Sequence, residues 1–289
     1  MIAPSELVLA PDGSLYHTRL TSDTLADDVF LMGDPGRVDL FKHLFDSVEH
    51  EAQYRELRHV TGRYHGHRFT ALSTGMGCDN IDIVLNELDA AANIDLRQRV
   101  TRERPRTLRI VRIGTCGSLQ PDVPCGSKVA SAYAIGLDGL LNYYRHDPSL
   151  MEEGMQRALL AHLRLLPGMA TPYCVACATG LMAALGHGCQ QGITATAPGF
   201  YAPQGRRLRI PPALPHLNER LTGFEWQGTK VVNMEMETSA IYGLSKILGH
   251  EALTVCLVIA NRADGTFLGD YEVPMRDLVA EAMEGMANR

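Results

Sequence analysis

The sequence predicts an α/β layer fold. Short apolar runs rich in β-branched residues alternate with stretches of helical period. Several of those runs end in glycine-bearing turns, and 289 residues suit one large domain. No internal repeat, low-complexity tract or linker interrupts the pattern, so residues 1–289 read as a single domain.

The elements follow in order. Val29–Met32 is an apolar run ended by Gly33-Asp34-Pro35-Gly36-Arg37, a strand feeding a tight loop with Arg37 at the start of a helix. Phe69–Ser73 is a second strand, ending at Gly75-Met76-Gly77. Ile81, Val84, Leu85 and Leu88 then recur at helical spacing, with Asp79 or Asn80 as the cap. Leu108–Ile113 is a third strand, closed by Gly114-Thr115-Cys116-Gly117, and Tyr173–Ala178 reads as a buried strand. Gly186–Arg209, rich in Gly, Gln, Thr and Pro, breaks the regularity and reads as a lid or binding loop. Val231–Met234 leads into an amphipathic helix from Glu237 to Leu248, stopped by Gly249. Leu253–Ala260 is a late core strand and Met275–Met286 a closing helix.

Composition narrows the function. With 45% hydrophobic and 21% charged residues the chain is an ordinary globular one, not a disordered one. A net charge of −6 leaves no basic footprint for nucleic acid or an anionic membrane, so an anionic substrate needs locally placed arginines. No apolar run approaches the roughly 20 residues of a spanning helix. Met1 to Asp12 lacks the basic and apolar regions of a signal peptide. The seven cysteines are scattered, as thiols of a reducing compartment are, so a cytoplasmic protein is expected. Cys174 and Cys177 have CxxC spacing without a second pair or a nearby histidine, and no metal is assigned to them.

Four groups of residues could carry chemistry. In Gly33-Asp34-Pro35-Gly36-Arg37, backbone N–H groups at a helix start and one guanidinium suit a phosphate, although a plain strand-to-helix turn has the same composition. Arg112 interrupts a core-like strand, and a buried guanidinium demands an anion or an ion-pair partner. Glu235-Met236-Glu237 opens a helix. Its acids either serve the helix dipole, or one accepts vicinal sugar hydroxyls and holds negative charge beside a developing cation. Phe200 to Arg206 is either a solvated loop or a base pocket, where an aromatic ring stacks and Gln204 and Arg206 read a polar edge. No Gly-Lys-Ser/Thr follows the first loop, and Gly75-Met76-Gly77 lacks the third glycine of a dinucleotide fingerprint. No cofactor is expected; the phosphate is a small free one.

Taken in order, these segments resemble the nucleoside phosphorylase superfamily and, within it, the uridine phosphorylases. Tyr54-Arg55-Glu56, Ser73 to Gly77, Arg112 to Gly117, Asn233 to Glu237 and Asn261-Arg262 complete the series. The resemblance implies a three-layer α/β/α fold with a mixed, partly barrel-like central sheet. It implies an enzyme that cleaves a pyrimidine nucleoside with phosphate as co-substrate. Phosphate would be held by Gly33, Arg37, Arg112 and Thr115, with Arg55 reaching in across a dimer interface. The ribose would meet Glu235, Met236 and Glu237, with His17 of the neighbour at the 5′-hydroxyl. Uracil would lie at Phe200 and Gly117, with Gln204, Arg206 and Arg262 on its edge. Catalysis would rest on Arg112, Glu237, Arg206 and Gln204. A homo-oligomer, at least a dimer and by resemblance a hexamer, is implied.

The purine members of that family carry an aspartate just after the late core strand, where this chain has Asn261-Arg262, with Asp264 two residues on. That difference favours a pyrimidine. A purine phosphorylase, a hydrolytic nucleosidase and a non-catalytic nucleoside binder are the alternatives, and the arginines at 37, 55 and 112 weigh against the use of water. Glu56 matches a cation-binding glutamate of some members, but Asn80 stands where they have serine, so no metal ion is assigned.

Overall fold

Strand β1 (Asp28–Met32) is buried on both faces: Val29 and Leu31 pack into one core, Phe30 and Met32 into another. A strand with two apolar faces belongs between helical layers, and the rest of the chain supplies them. The computed structural model describes all residues 1–289.

After β1 come α1 (Val38–Lys42), the hairpin β2 (Ser47–Tyr54) and β3 (Leu57–Tyr64), β4 (His67–Ser73) and α2 (Cys78–Asn93). The small pair β5 (Ile94–Asp95) and β6 (Val100–Thr101) precedes β7 (Arg109–Ser118), β8 (Lys128–Gly136), α3 (Glu153–Leu163), β9 (Tyr173–Ala176) and α4 (Thr179–Leu185). The chain continues through β10 (Gln190–Thr196), α5 (Leu217–Thr222), β11 (Glu225–Trp226) and β12 (Thr229–Glu235). It ends with α6 (Thr238–Leu248), β13 (Glu251–Asn261) and α7 (Glu272–Ala287).

Eleven strands form one sheet in the order β11-β12-β10-β8-β13-β7-β1-β4-β3-β2, with β9 beside β8. Because β12 also pairs with β7, the strands β12, β10, β8, β13 and β7 close on one another. Parallel pairs (β1–β7, β13–β7) and antiparallel pairs (β13–β8, β12–β7) coexist. Residues of α2 and α6 share the core of Val29 and Leu31. Residues of α1, α4 and α7 share that of Phe30 and Met32. The expected three-layer fold with a mixed, partly barrel-like sheet is the one observed.

β7 is the joint between wing and barrel. Its first half pairs with β1, Asp28 opposite Arg109 through Leu31 opposite Arg112. Its last residues, Gly117 and Ser118, pair with β12. Between Arg112 and Gly117 the strand has left β1 and not yet met β12. Such divergence beyond the carboxyl ends of parallel strands is where α/β sheets open a crevice for ligands.

Three expectations need correction. The run Gly114–Gly117 does not close its strand; β7 continues through it to Ser118 because β13 pairs along its whole length. Gly186–Arg209 is not irregular throughout, since Gln190–Thr196 is a core strand between β8 and β12. Its Thr194 and Thr196 are buried but hydrogen-bonded inside the barrel, which disguises the strand in composition. Neither Asp79 nor Asn80 caps α2: Gly77, at φ 95°, is the cap residue, and the Asn80 amide donates to Glu56. The hairpin β2–β3 had no sequence signal in its first strand, which runs at the sheet edge with most residues exposed. No helix is long and apolar enough to cross a membrane.

Candidate active site

A cavity of about 710 Å³ opens at that crevice, within the size range of small-molecule sites. The loop after β1 brings Gly33 and Arg37 to its wall, β7 brings Arg112, Thr115 and Gly117, and the end of β12 brings Glu235, Met236 and Glu237. Phe200, Gln204 and Arg206 line it as well. Eleven residues named from the sequence thus converge on one cavity.

Arg112 lies at its floor. Strand alternation turns it to the same face as Ile110, toward the α2–α6 layer. It is 5% exposed and meets two carboxylates that are equally buried. Its Nη2 pairs with Glu237 Oε2, and its Nη1 lies 3.3 Å from Glu235 Oε2 and donates to Cys256 Sγ at 3.1 Å. Its Nε is buried without an acceptor in the protein. Burial works to lower the Arg112 pKa, but the facing Glu237 charge, with Cys256 and Glu235, holds it above the ordinary guanidinium value.

The two glutamates divide their work. Glu235 accepts from the backbone N–H of Glu237 and Thr238 and from Thr196 Oγ1, so it caps α6. Glu237 accepts from the N–H of Gly77 at 2.8 Å, at the start of α2. Two helix N-termini therefore point at two carboxylates with one guanidinium between them, a favourable arrangement for negative charge. The acids serve helix ends, as one reading of the sequence expects, and they also line the cavity. Burial nonetheless pushes the Glu237 carboxyl above its ordinary value, against the pull of Arg112, with Glu235 adding to the rise.

Gln204 is buried, at the end of a single 3-10 turn. Arg206 Nη1 donates to Gln204 Oε1 and to the carbonyl of Phe200, both at 2.6 Å, and the guanidinium lies 3.7 Å from the Phe200 ring centroid. Burial, and then the charge of Arg262, lower the Arg206 pKa to about 10. With Oε1 occupied, the Gln204 amide nitrogen is oriented as a donor. Arg262 lies behind this wall, not on it, and its Nη2 donates to the main-chain carbonyl of Gln204 at 3.1 Å.

Two predicted residues stand away from the cavity. Arg55 is exposed at the tip of the β2–β3 hairpin at φ 55°, in the left-handed region that a bulky residue occupies only under constraint. His17 is held by Glu87, whose Oε1 is 2.7 Å from its Nδ1. Sequence reasoning missed Phe267 and Tyr271 on the wall. Tyr271 packs near Arg37, 5.8 Å from guanidinium carbon to ring centroid. Nothing local in the sequence marks these two; only the fold brings them in.

Comparison with known proteins agrees with this geometry. The family model of the Phosphorylase superfamily matches residues 27–287. A uridine phosphorylase of Thermococcus kodakarensis is 29% identical over 284 residues, covering 96% of this chain and 88% of that protein. A DeoD-type purine nucleoside phosphorylase of Geobacillus sp. is 28% identical over 273 residues, covering 93% and 96%. The crystal structure of a Trypanosoma brucei nucleoside phosphorylase, described as showing uridine phosphorylase activity, superposes with a TM-score of 0.86 at 30% identity over 98% of this chain and all of that one. The chain belongs to the phosphorylase superfamily.

Proposed function

We propose that this member of the phosphorylase superfamily, a nucleoside phosphorylase and hence a pentosyltransferase, acts on uridine, giving uracil and ribose 1-phosphate. The observation that carries the choice of base is the state of Asn261. It is 1% exposed, its Nδ2 donates to the carbonyls of Gln120 and Val123, and its Oδ1 accepts from the N–H of Ala263 and Asp264. Fully engaged, it has nothing to offer a purine N7. Asp264 is exposed, bonded to Thr266 and held below the ordinary carboxylate range by those bonds, so it is no proton donor. The acids of the wall are Asp34, Glu56, Glu235 and Glu237, and Arg206 pairs with none of them, donating instead to Gln204 and Phe200. Donors at carbonyl oxygens, not an acid at a ring nitrogen, are what this pocket offers.

The reaction follows from charge. Arg37, Arg112 and Thr115, all on the cavity wall, hold phosphate. Bound so, phosphate attacks C1′ as if intramolecularly. As a C–O bond forms and the C1′–N1 bond breaks, positive charge develops on the ribose facing Glu237 and Met236. The electron pair of the broken bond passes into the uracil ring, where Arg206 and Gln204 meet the negative charge. Glu235, spent on α6 and Arg112, orients this group and leaves the sugar chiefly to Glu237. We assign Arg55 and His17 to the site of a neighbouring subunit, in an assembly that is at least a dimer.

The test supplies uridine and inosine separately, each with and without phosphate, and measures free base. Uracil release that depends on phosphate and exceeds hypoxanthine release supports the reading; faster inosine cleavage reverses the base, and release without phosphate makes the protein a nucleosidase.

A further inference from the structure

We propose that Asn218, a residue off the cavity wall, is a positioning residue for base selection: it holds the main-chain carbonyl of Gln204 and so aims the Gln204 amide. The proposal rests on the reading that Gln204 contacts the base.

Gln204 belongs to no α-helix or sheet strand. It ends a three-residue turn in a long connection, and such a segment keeps one conformation only if its polar backbone groups are tied elsewhere. The Gln204 carbonyl receives two donors from distant parts of the chain, Asn218 Nδ2 and Arg262 Nη2, each at 3.1 Å. The next residue, Gly205, sits at φ 70°, and a β-carbon there would lie 2.7 Å from Asn218 Nδ2. Glycine is needed at this position twice over, for the backbone angle and for the closeness of the amide.

Asn218 is itself anchored to the strand that carries the phosphate arginine. Thr222 Oγ1 donates its one proton to the carbonyl of Asn218 at 2.8 Å, with that of Leu119 3.3 Å away on the same hydroxyl. Gln120 Nε2 donates to the carbonyl of Thr222 at 3.1 Å. Leu119 and Gln120 directly follow β7. A continuous path of hydrogen bonds thus runs from the end of β7 through α5 to Gln204, fixing the base reader relative to Arg112 and Thr115. Asn218 Oδ1 is buried without a partner, so the amide is kept here for its donor side. An aspartate, which has no such donor, cannot replace it.

The experiment compares Asn218→Ala, Asn218→Asp and Gln204→Ala in steady-state phosphorolysis of uridine, varying each substrate in turn, with Tm measured for each. Both Asn218 variants should raise KM for uridine about five- to tenfold, leave KM for phosphate unchanged, and add little loss on top of Gln204→Ala. If Asn218→Ala does not fold, Gly205→Ala, which crowds the same amide, should show the same split. Wild-type uridine KM in Asn218→Asp overturns the proposal, as does an equal rise in both KM values with a lowered Tm. A Gln204→Ala variant with unaltered uridine KM overturns the base-pocket reading itself, and the proposal with it.

Discussion

The guanidinium of Arg112 lies over the Cα of Gly114, so near that a β-carbon on Gly114 would be 2.0 Å from Nη1 and 2.6 Å from Cζ. Two residues apart on one strand face, they are a matched pair: the arginine can fold back across β7 only because the glycine has no side chain. Gly114→Ala should therefore displace the guanidinium without unfolding the strand. We expect kcat/KM for phosphate to fall at least about tenfold, with KM for the nucleoside affected much less. Equal effects on both substrates would contradict the assignment of Arg112 to phosphate.

Removing Arg112 outright has a second consequence. Glu235 and Glu237 would remain buried with no cation between them, and breaking such a group costs about 3–5 kcal/mol. Arg112→Ala should lower stability by that order as well as abolish most phosphate use. Neutralising one acid in the same background, as Arg112→Ala with Glu237→Gln, should recover part of the stability but none of the activity. Urea titration of Arg112→Ala, Glu237→Gln and the double variant reads this as a double-mutant cycle; simple additivity would show that the ion pair is not coupled.

The pH profile should carry the mark of Glu237. Burial raises its carboxyl pKa above the ordinary 4.5. The ionised form is the one that pairs with Arg112 and, on the proposed reading, the one that serves the ribose, so activity should be present above that raised value and lost as pH falls through it. The acid limb of kcat/KM should lie above the ordinary carboxylate range and disappear in Glu237→Gln, whose residual activity should be flat there. An unchanged limb in the variant assigns it to another group.

Stability should depend on pH through His59. Its Nδ1 donates to the carbonyl of Thr18 and its Nε2 is 2.9 Å from His50 Nδ1, so the ring is held neutral. Burial, and then the His50 charge, lower its pKa from 6.5 to about 4. The unfolded chain takes up this proton near pH 6.5 and the folded one only near 4. Stability is therefore undiminished above 6.5 and falls as pH drops through that window, by up to about 3 kcal/mol. Urea midpoints at pH 7 and pH 4.5 should diverge less in His59→Gln than in the parent; an identical divergence removes His59 as the cause.

Much of the site was legible in the residues themselves. An arginine inside an apolar strand, acids at a helix start, and glycines after strands are each improbable without a purpose. Desolvation of charge and backbone geometry are local costs that any fold must meet. The alternation of strands and helices likewise determined the layered architecture, because each element must bury its apolar face. What the sequence could not specify was which partners those costs would find. Glu235 capping α6, Glu237 meeting Gly77 at α2, Asn261 turned into its own wall and Asn218 reaching Gln204 join segments far apart in the chain. Such contacts depend on β7 leaving β1 to meet β12, a closure set by long-range strand pairing. Only the tertiary structure decides it, because hydrogen bonds between strands carry no address in composition or period.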